Sequence, residues 1–509
     1  MQNVTRIQEV TDTRSGTNHI ISNINTLSTI SQILSSTLGP FGRDKLFISQ
    51  NEYLITNDGI TILRKLSLDH PVQQLLREIS ESQEKEIGDG TTSVVLLSIE
   101  ILENLKELVK EKMPIEKILE AIKFTEKKIY DYLKEESNDI IKSISDENKE
   151  EEVKKVIETT LSSKIISCDK KFFSELLAPE ICQKRKFLMR KIKGGSFRES
   201  FTFKGVAFKK SFSFAGHEQL PKKIKNPKII LLDEEIELRS LRENAQLKVD
   251  ETKVYKEFVT AEFEILTGNL EKIKNSGASV VLSTKSIGDY ATQYFAKNKI
   301  FCMGRVSAQD IERISEYSNC IPQVTFNNLV FGECENFEER IIGDSTFYFL
   351  ESKAEENYPI TIFLRGPGDE ILNEVERSLD DVILASESAL KCSRLVRGGG
   401  SFEISMSLFL KEEIKNSPLI FHSVMKKIAQ SLEIIPFNLA RNFGLDAQEV
   451  LKKMRYSHFN KKCCSVSENG TKINESIFEA LSLKENVFKA AFSFVKTILN
   501  IDSSFVVKN

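Results

Sequence analysis

The chain is 509 residues long and carries 71 lysines and arginines against 74 aspartates and glutamates, a formal net charge of −3. That balance excludes a protein that binds nucleic acid by neutralising phosphates, and no apolar run approaches the ~18 residues of a membrane span. The length corresponds to roughly three domains, and 40% apolar with 28% charged residues fits a folded chain. Residues 1–13 are polar and mixed in charge, without the apolar core of a secretory signal. The eight cysteines are scattered, with no C-x-x-C pair. This argues against a zinc site or a disulfide framework and for reduced thiols in the cytoplasm. Neither G-x-x-x-x-G-K-S/T nor G-x-G-x-x-G occurs, so the commonest nucleotide folds are not signalled.

In chain order, residues 20–38 predict a helix. Ile20, Ile24, Leu27, Ile30, Leu34 and Leu38 recur three or four apart, and Gly39-Pro40 stops the pattern. Residues 46–48 and 53–55 predict a hairpin. Asn57-Asp58-Gly59 is a turn into a second helix, and Pro71 opens a third with Val72, Leu75, Leu76 and Ile79 on one face. After Gly88-Asp89-Gly90, Thr91-Thr92 opens a long helix reaching Val109; beyond Met113-Pro114 the pattern resumes from Ile115 to Leu133. Residues 134–155 are mostly charged and read as a solvated helix near a domain boundary. From about residue 226 strands at 229–232, 280–282 and 300–302 alternate with helices over 241–275 and 288–297, which indicates an α/β module. Residues 360–364 are expected to close it, and helices return over 370–509. This layout predicts that the two chain ends fold together as one discontinuous domain.

Five constellations bear chemistry. In Gly88-Asp89-Gly90-Thr91-Thr92-Ser93, glycines allow close backbone approach and the following helix offers free N–H groups to an anion. A carboxylate there makes sense beside phosphate if Mg²⁺ lies between them. The same residues also suit an ordinary capped helix start. Thr37-Leu38-Gly39-Pro40-Phe41-Gly42 either cradles a phosphate or simply ends a helix. Asn57-Asp58-Gly59, Glu376-Arg377-Ser378-Leu379-Asp380-Asp381 and Gly398-Gly399-Gly400 read locally as a turn, a charged helix face and a tight loop. Spacing alone does not bring the five together.

Their order and spacing, with residues 60–63, His70-Pro71 and Leu364-Arg365-Gly366, resemble the group II chaperonins from about residue 15 to 505. Residues 211–216, Pro221-Lys222-Lys223, Ile287-Gly288-Asp289, 291–296 and 301–306 further resemble one subunit type of the eukaryotic cytosolic chaperonin. The resemblance implies a multi-domain chaperonin fold. A mainly α-helical equatorial domain would come from both ends (1–142 and 398–509), and a small α/β intermediate domain from two pieces (143–211 and 367–397). An α/β apical domain (212–366) would carry a helical lid protrusion within 241–275.

The resemblance also implies ATP and Mg²⁺ as cofactors. Thr37, Leu38, Gly39, Pro40, Gly90, Thr91, Thr92 and Ser93 would hold the phosphates, with Ser162 and Ser163 near the nucleotide, Gly399 along it, and Glu485 carried over from the family's Glu-Pro segment. Asp89 would hold the metal, while Asp58 and a mobile Asp381 would position the attacking water. Phe41 and Arg43 stand where the family usually has Lys and Met, and Cys464-Ser465-Val466 replaces a Gly-Val-Asp. Implied partners are paralogous subunits in a hetero-oligomeric double ring and non-native clients such as actin and tubulin, with no nucleic acid and no membrane. Tyr290, Gln293, Tyr294 and Lys297, at i, i+3, i+4 and i+7, would face the chamber; the alternative is that the tyrosines pack on the apical core. Two other readings are a ring member that binds nucleotide but scarcely hydrolyses it, and a free-standing ATPase or scaffold.

Overall fold

A computed structural model describes residues 16–48, 53–68, 70–134, 141–145, 148–210, 219–238, 252–351, 358–473 and 477–503. Residues 211–216, cited above for the resemblance, and residues 241–251 of the expected long helix lie outside the described residues. Two compact units emerge: Met1–Lys184 with Asn373–Asn509, and Arg185–Leu372.

In the first unit the two chain ends share one core. Helix Thr17–Leu34 buries the predicted stripe, Ile20, Ile24, Leu27, Ile30 and Leu34. It ends a turn early because Ser35–Thr37 tightens into a 3₁₀ turn and Leu38 is extended ahead of Gly39. Helix Thr91–Lys110 is apolar almost all round, with Val94, Val95, Leu96, Leu97, Ile99, Ile101 and Leu102 buried, which is the signature of a central helix. It packs against Thr17–Leu34, His422–Ser431 and Leu481–Leu499. Phe402, from helix Ser401–Glu413, stacks on Phe488 with ring centroids 5.7 Å apart. Each such fully buried side chain contributes about 1.5–3 kcal/mol.

The hairpin Lys45–Ile48 with Tyr53–Thr56 forms as expected, in the register Leu46↔Ile55 and Ile48↔Tyr53. One of its faces leaves Leu46, Ile48, Tyr53 and Ile55 exposed. The stretch 134–155 departs from the solvated helix expected of it. Ile141–Ser143 is an edge strand paired with Arg394–Arg397, which also pairs with Phe478–Ala480. Helix Lys149–Leu161 buries Val153, Val156, Ile157 and Glu152, the last in an ion pair with Lys142. The dense charge masked an apolar stripe at helical spacing.

Among the described residues the second unit holds two sheets. Strands Lys228–Leu232, Val280–Ser283 and Phe301–Met303 run parallel, with Gly332–Glu333 antiparallel at the edge. Helices Thr252–Asn275 and Asp289–Lys297 connect the parallel strands. Ile360–Gly366 does not close this sheet. It lies in a separate six-stranded sheet, parallel to Phe187–Lys193 and antiparallel to Phe201–Lys209. An apolar run buried on both faces states that it is central but not which sheet it joins.

Truncating Phe402 tests the shared core. Phe402→Ala should destabilise the first unit by about 3–5 kcal/mol, read as a lower denaturant midpoint of the full chain.

Candidate active site

The Gly88-Asp89-Gly90 break is a built structure rather than a plain helix start. Gly88 and Gly90 have φ of 82° and 79°, and a Cβ on Gly88 would lie 2.7 Å from the Leu384 side chain. The Gly90 N–H donates to Asp89 Oδ1 at 2.6 Å, and Gln83 Nε2 donates to the Asp89 carbonyl at 3.0 Å. No side chain caps helix Thr91–Lys110, so capping does not consume its first N–H groups.

A second helix start lies beside it. Asp58 caps helix Gly59–Lys65, its Oδ2 accepting from the Thr61 N–H at 3.2 Å and from Thr61 Oγ1 at 2.7 Å. Thr56 Oγ1 accepts from the Asp58 N–H and donates to Glu374, each at 3.1 Å. A Cβ on Gly59 would sit 2.4 Å from Thr92 Oγ1; the missing side chain lets the two helix N-termini converge. Gly39, at φ 84°, plays the same part opposite, where a Cβ would strike Leu439. Asn442 Nδ2 ties that loop down through the carbonyls of Ser35 and Leu38, at 3.0 and 2.8 Å.

Charge is concentrated here. Lys164 Nζ lies 2.6 Å from Asp381 Oδ2, both side chains 9% exposed. Burial alone would lower the Lys164 pKa, but the fields of Asp381, Asp58 and Asp89 raise it well above the usual lysine range. Burial, reinforced by Asp58 and Asp89 and opposed by Lys164, pushes Asp381 up to about 7. Burial likewise raises Asp89 against the pull of Lys164. Lys164 thus faces three carboxylates, with Lys484 also acting on Asp89. Among the described residues no three His, Cys, Asp or Glu side chains converge closely enough to hold a metal unaided. The hard oxygen set with residual negative charge suits an Mg²⁺ shared with phosphate oxygens.

These groups line a chamber of about 70 Å³, with Thr37, Leu38, Gly39, Asp58, Asp89, Gly90, Thr91, Thr92, Ser93, Ser163 and Lys164 in its wall. A larger cavity of about 760 Å³ shares Leu38, Gly39, Asp89, Gly90, Ser93 and Ser163 with it and adds Pro40, Ser162 and Gly399. The hairpin Cys464–Ser467 with Gly470–Ile473 supplies another wall, held by the Val466 N–H on the Gly399 carbonyl at 3.0 Å. Asp381 reaches the cluster through Lys164.

Glu485 is not brought to either cavity. On helix Leu481–Leu499, Leu483 and Lys484 line the larger one, and the next residue turns away by ~100°. Glu485 instead feels Arg394 and Lys134, with burial raising its pKa. Glu479, one of the acids that do line the larger cavity, lies 2.5 Å from Lys484, which also binds Glu403 at 2.8 Å. Lys164, Glu479 and Lys484 escaped the sequence reading. Lys164 directly follows Ser162-Ser163, which was a usable signal; the Glu479–Lys484 pair carried none.

In the second unit, Tyr290, Gln293 and Lys297 are exposed and Tyr294 is half-buried on helix Asp289–Lys297. Tyr290 meets Phe263 of helix Thr252–Asn275 edge-on at 5.3 Å. The face is therefore partly packed and partly open.

Residues 30–509 match the TCP-1/cpn60 chaperonin family. The chain belongs to that family. It is 37% identical over 511 residues to T-complex protein 1 subunit eta of Encephalitozoon cuniculi, covering 98% of both chains. It is 36% identical to the protein of that name from Homo sapiens, over 99% of this chain and 95% of the relative. The Saccharomyces cerevisiae counterpart is 35% identical over 99% and 94%. Similarity to the eta type agrees with the segments singled out in the sequence.

The raised Asp381 pKa has a stability consequence with a definite sign. The native carboxyl keeps a proton that the unfolded chain releases from about pH 4, near its ordinary value of 3.8. Its contribution to stability is therefore greatest below that pH and declines as pH rises towards 7. Asp381→Asn should flatten this decline. Denaturation midpoints at pH 5 and 7.5 should diverge less in the variant than in the wild type; parallel trends would contradict the assignment.

Proposed function

We propose that the chain is an ATP-hydrolysing subunit of a hetero-oligomeric double-ring chaperonin that binds and folds non-native cytosolic proteins, actin and tubulin among them, and closes a built-in lid. The observation that carries this reading is the convergence of two helix N-termini, three carboxylates and Lys164 at one end of a nucleotide-sized cavity. Phosphoryl transfer needs charge neutralisation, positioning and an oriented nucleophile, and each has a residue here. The uncapped N–H groups at Thr91–Ser93 and the loop Thr37–Pro40 hold the phosphates. Asp89 would hold Mg²⁺, which when bound neutralises charge on the phosphate oxygens. Asp58, fixed by Thr61, and Asp381, fixed by Lys164, orient the attacking water.

On this reading residues 1–142 and 398–509 form the equatorial domain, 143–211 and 367–397 the intermediate domain, and 212–366 the apical domain. The helix over 252–275 belongs to the lid protrusion, and Tyr290, Gln293, Tyr294 and Lys297 meet clients. The relatives' name, subunit eta of T-complex protein 1, supports an assembly with paralogous subunits. The exposed apolar face of the 45–56 hairpin supports it independently, because a row of Leu46, Ile48, Tyr53 and Ile55 is better covered than solvated. Among the described residues no helix is long and apolar enough to cross a membrane, and the cytoplasm is the proposed location.

The test separates two adjacent acids. Asp381 is buried against Lys164, whereas Asp380 is exposed. Asp381→Ala in this subunit alone should slow single-turnover hydrolysis by ~10²–10⁴-fold with ATP affinity nearly intact, and Asp380→Ala should do little. Equal, negligible effects would favour a nucleotide-binding ring member without hydrolysis.

Metal dependence gives a further check. Asp89→Ala should abolish most of the difference in ATP affinity measured with and without Mg²⁺. An unchanged difference would rule out the metal role.

A further inference from the structure

The two cavities are chemically unlike. The small chamber is walled by helix N-termini, hydroxyls and charges, and the aromatic and large aliphatic residues Phe41, Ile435, Leu439 and Phe443 line only the larger one. Phe41 stands two residues from Gly39, which lines both. The residue is 51% exposed, an unfavourable state for a large apolar group unless something covers it. It is also held in place. The Gly42 N–H bonds the Gly39 carbonyl at 2.9 Å and the Arg43 N–H bonds the Ser36 carbonyl at 2.7 Å, fixing the loop on both sides of Phe41. Phe443 meets it with centroids 4.9 Å apart and planes tilted by 48°. The residue before Phe443 is Asn442, whose side chain bonds the same loop. Two rings from distant parts of the chain are thus locked at one edge of the cavity, one of them offering about half its surface.

We propose that Phe41 and Phe443 form an aromatic platform on which the base of the bound nucleotide stacks, resting on the ATP reading above. Phosphates seated at the Thr91–Ser93 helix start and the Thr37–Pro40 loop leave the larger cavity for the sugar and base, and its apolar wall is where a π-face gains most. The side chain at position 41 therefore contributes base affinity rather than charge. Stacking is tolerant of base identity because every base has a π-face, so the platform distinguishes a nucleotide from a bare polyphosphate rather than one purine from another.

The experiment compares Mg-ATP with Mg-tripolyphosphate, which has the phosphates and no base, on the full chain in the assembly from which it is isolated. Phe41→Ala and Phe443→Ala should each weaken ATP binding by roughly 5- to 100-fold and leave tripolyphosphate affinity unchanged, with Phe41→Leu intermediate. Thermal unfolding of each variant checks that the loop still folds. Equal losses for both ligands would mean that the rings support the phosphate cradle, and unchanged ATP affinity would mean that they do not touch the base; either result overturns the platform. Wild-type protein that binds tripolyphosphate as tightly as ATP also overturns it. Wild-type protein that binds neither removes the ATP reading itself.

Discussion

The constraint on which the site depends is the buried ammonium of Lys164 among three carboxylates. Lys164 follows the helix Lys149–Leu161, Asp381 sits within helix Asp369–Cys392, Asp58 starts one helix and Asp89 precedes another. An unpaired buried charge is costly, and removing one partner of such a pair typically costs 3–5 kcal/mol. Four separate stretches of chain must therefore arrive together or not at all. The acids around Lys164 outnumber it, which leaves a residual negative charge in the cluster. Burial, reinforced by Asp58 and Asp89, lifts Asp381 towards neutrality, the range in which a carboxyl can exchange its proton at cellular pH.

Absent side chains do as much as present ones. Gly59 lets Thr92 approach, Gly88 clears Leu384, and Gly39 clears Leu439. The first lets two helix starts converge, and the other two admit a neighbouring leucine side chain. The helix Thr91–Lys110 then links chemistry to fold. Its first turn lines the chamber while its body is the centre of the core formed by both ends of the chain.

Much of this was legible in the residues. The apolar stripe of Thr17–Leu34, the hairpin, the glycine-flanked Asp89 and the parallel strands after residue 226 all declare themselves through period or turn chemistry. What stayed hidden depends on tertiary partners. Ile141–Ser143 is a strand only because Arg394–Arg397 pairs with it. Ile360–Gly366 is apolar throughout, so its sheet is chosen by its neighbours. Glu485 was carried over from a family segment with no local pattern of its own to fix its direction; the turn of Leu481–Leu499 puts Lys484 on the wall instead, and the preceding strand supplies Glu479. Lys164 was passed over although it follows Ser162-Ser163, because its acidic partners Asp58, Asp89 and Asp381 lie far away in sequence.

The shared core also sets a timetable for biosynthesis. Helix Thr91–Lys110 leaves the ribosome about 370 residues before helix Leu481–Leu499, which must cover it. At ~5–20 residues per second that interval is roughly 20–70 s. During it a helix apolar on nearly every side has no final partner. Contacts this distant in sequence are slow to form and leave sticky surface exposed in the meantime. A member of the chaperonin family is thus itself a demanding folding substrate until helix Leu481–Leu499 emerges.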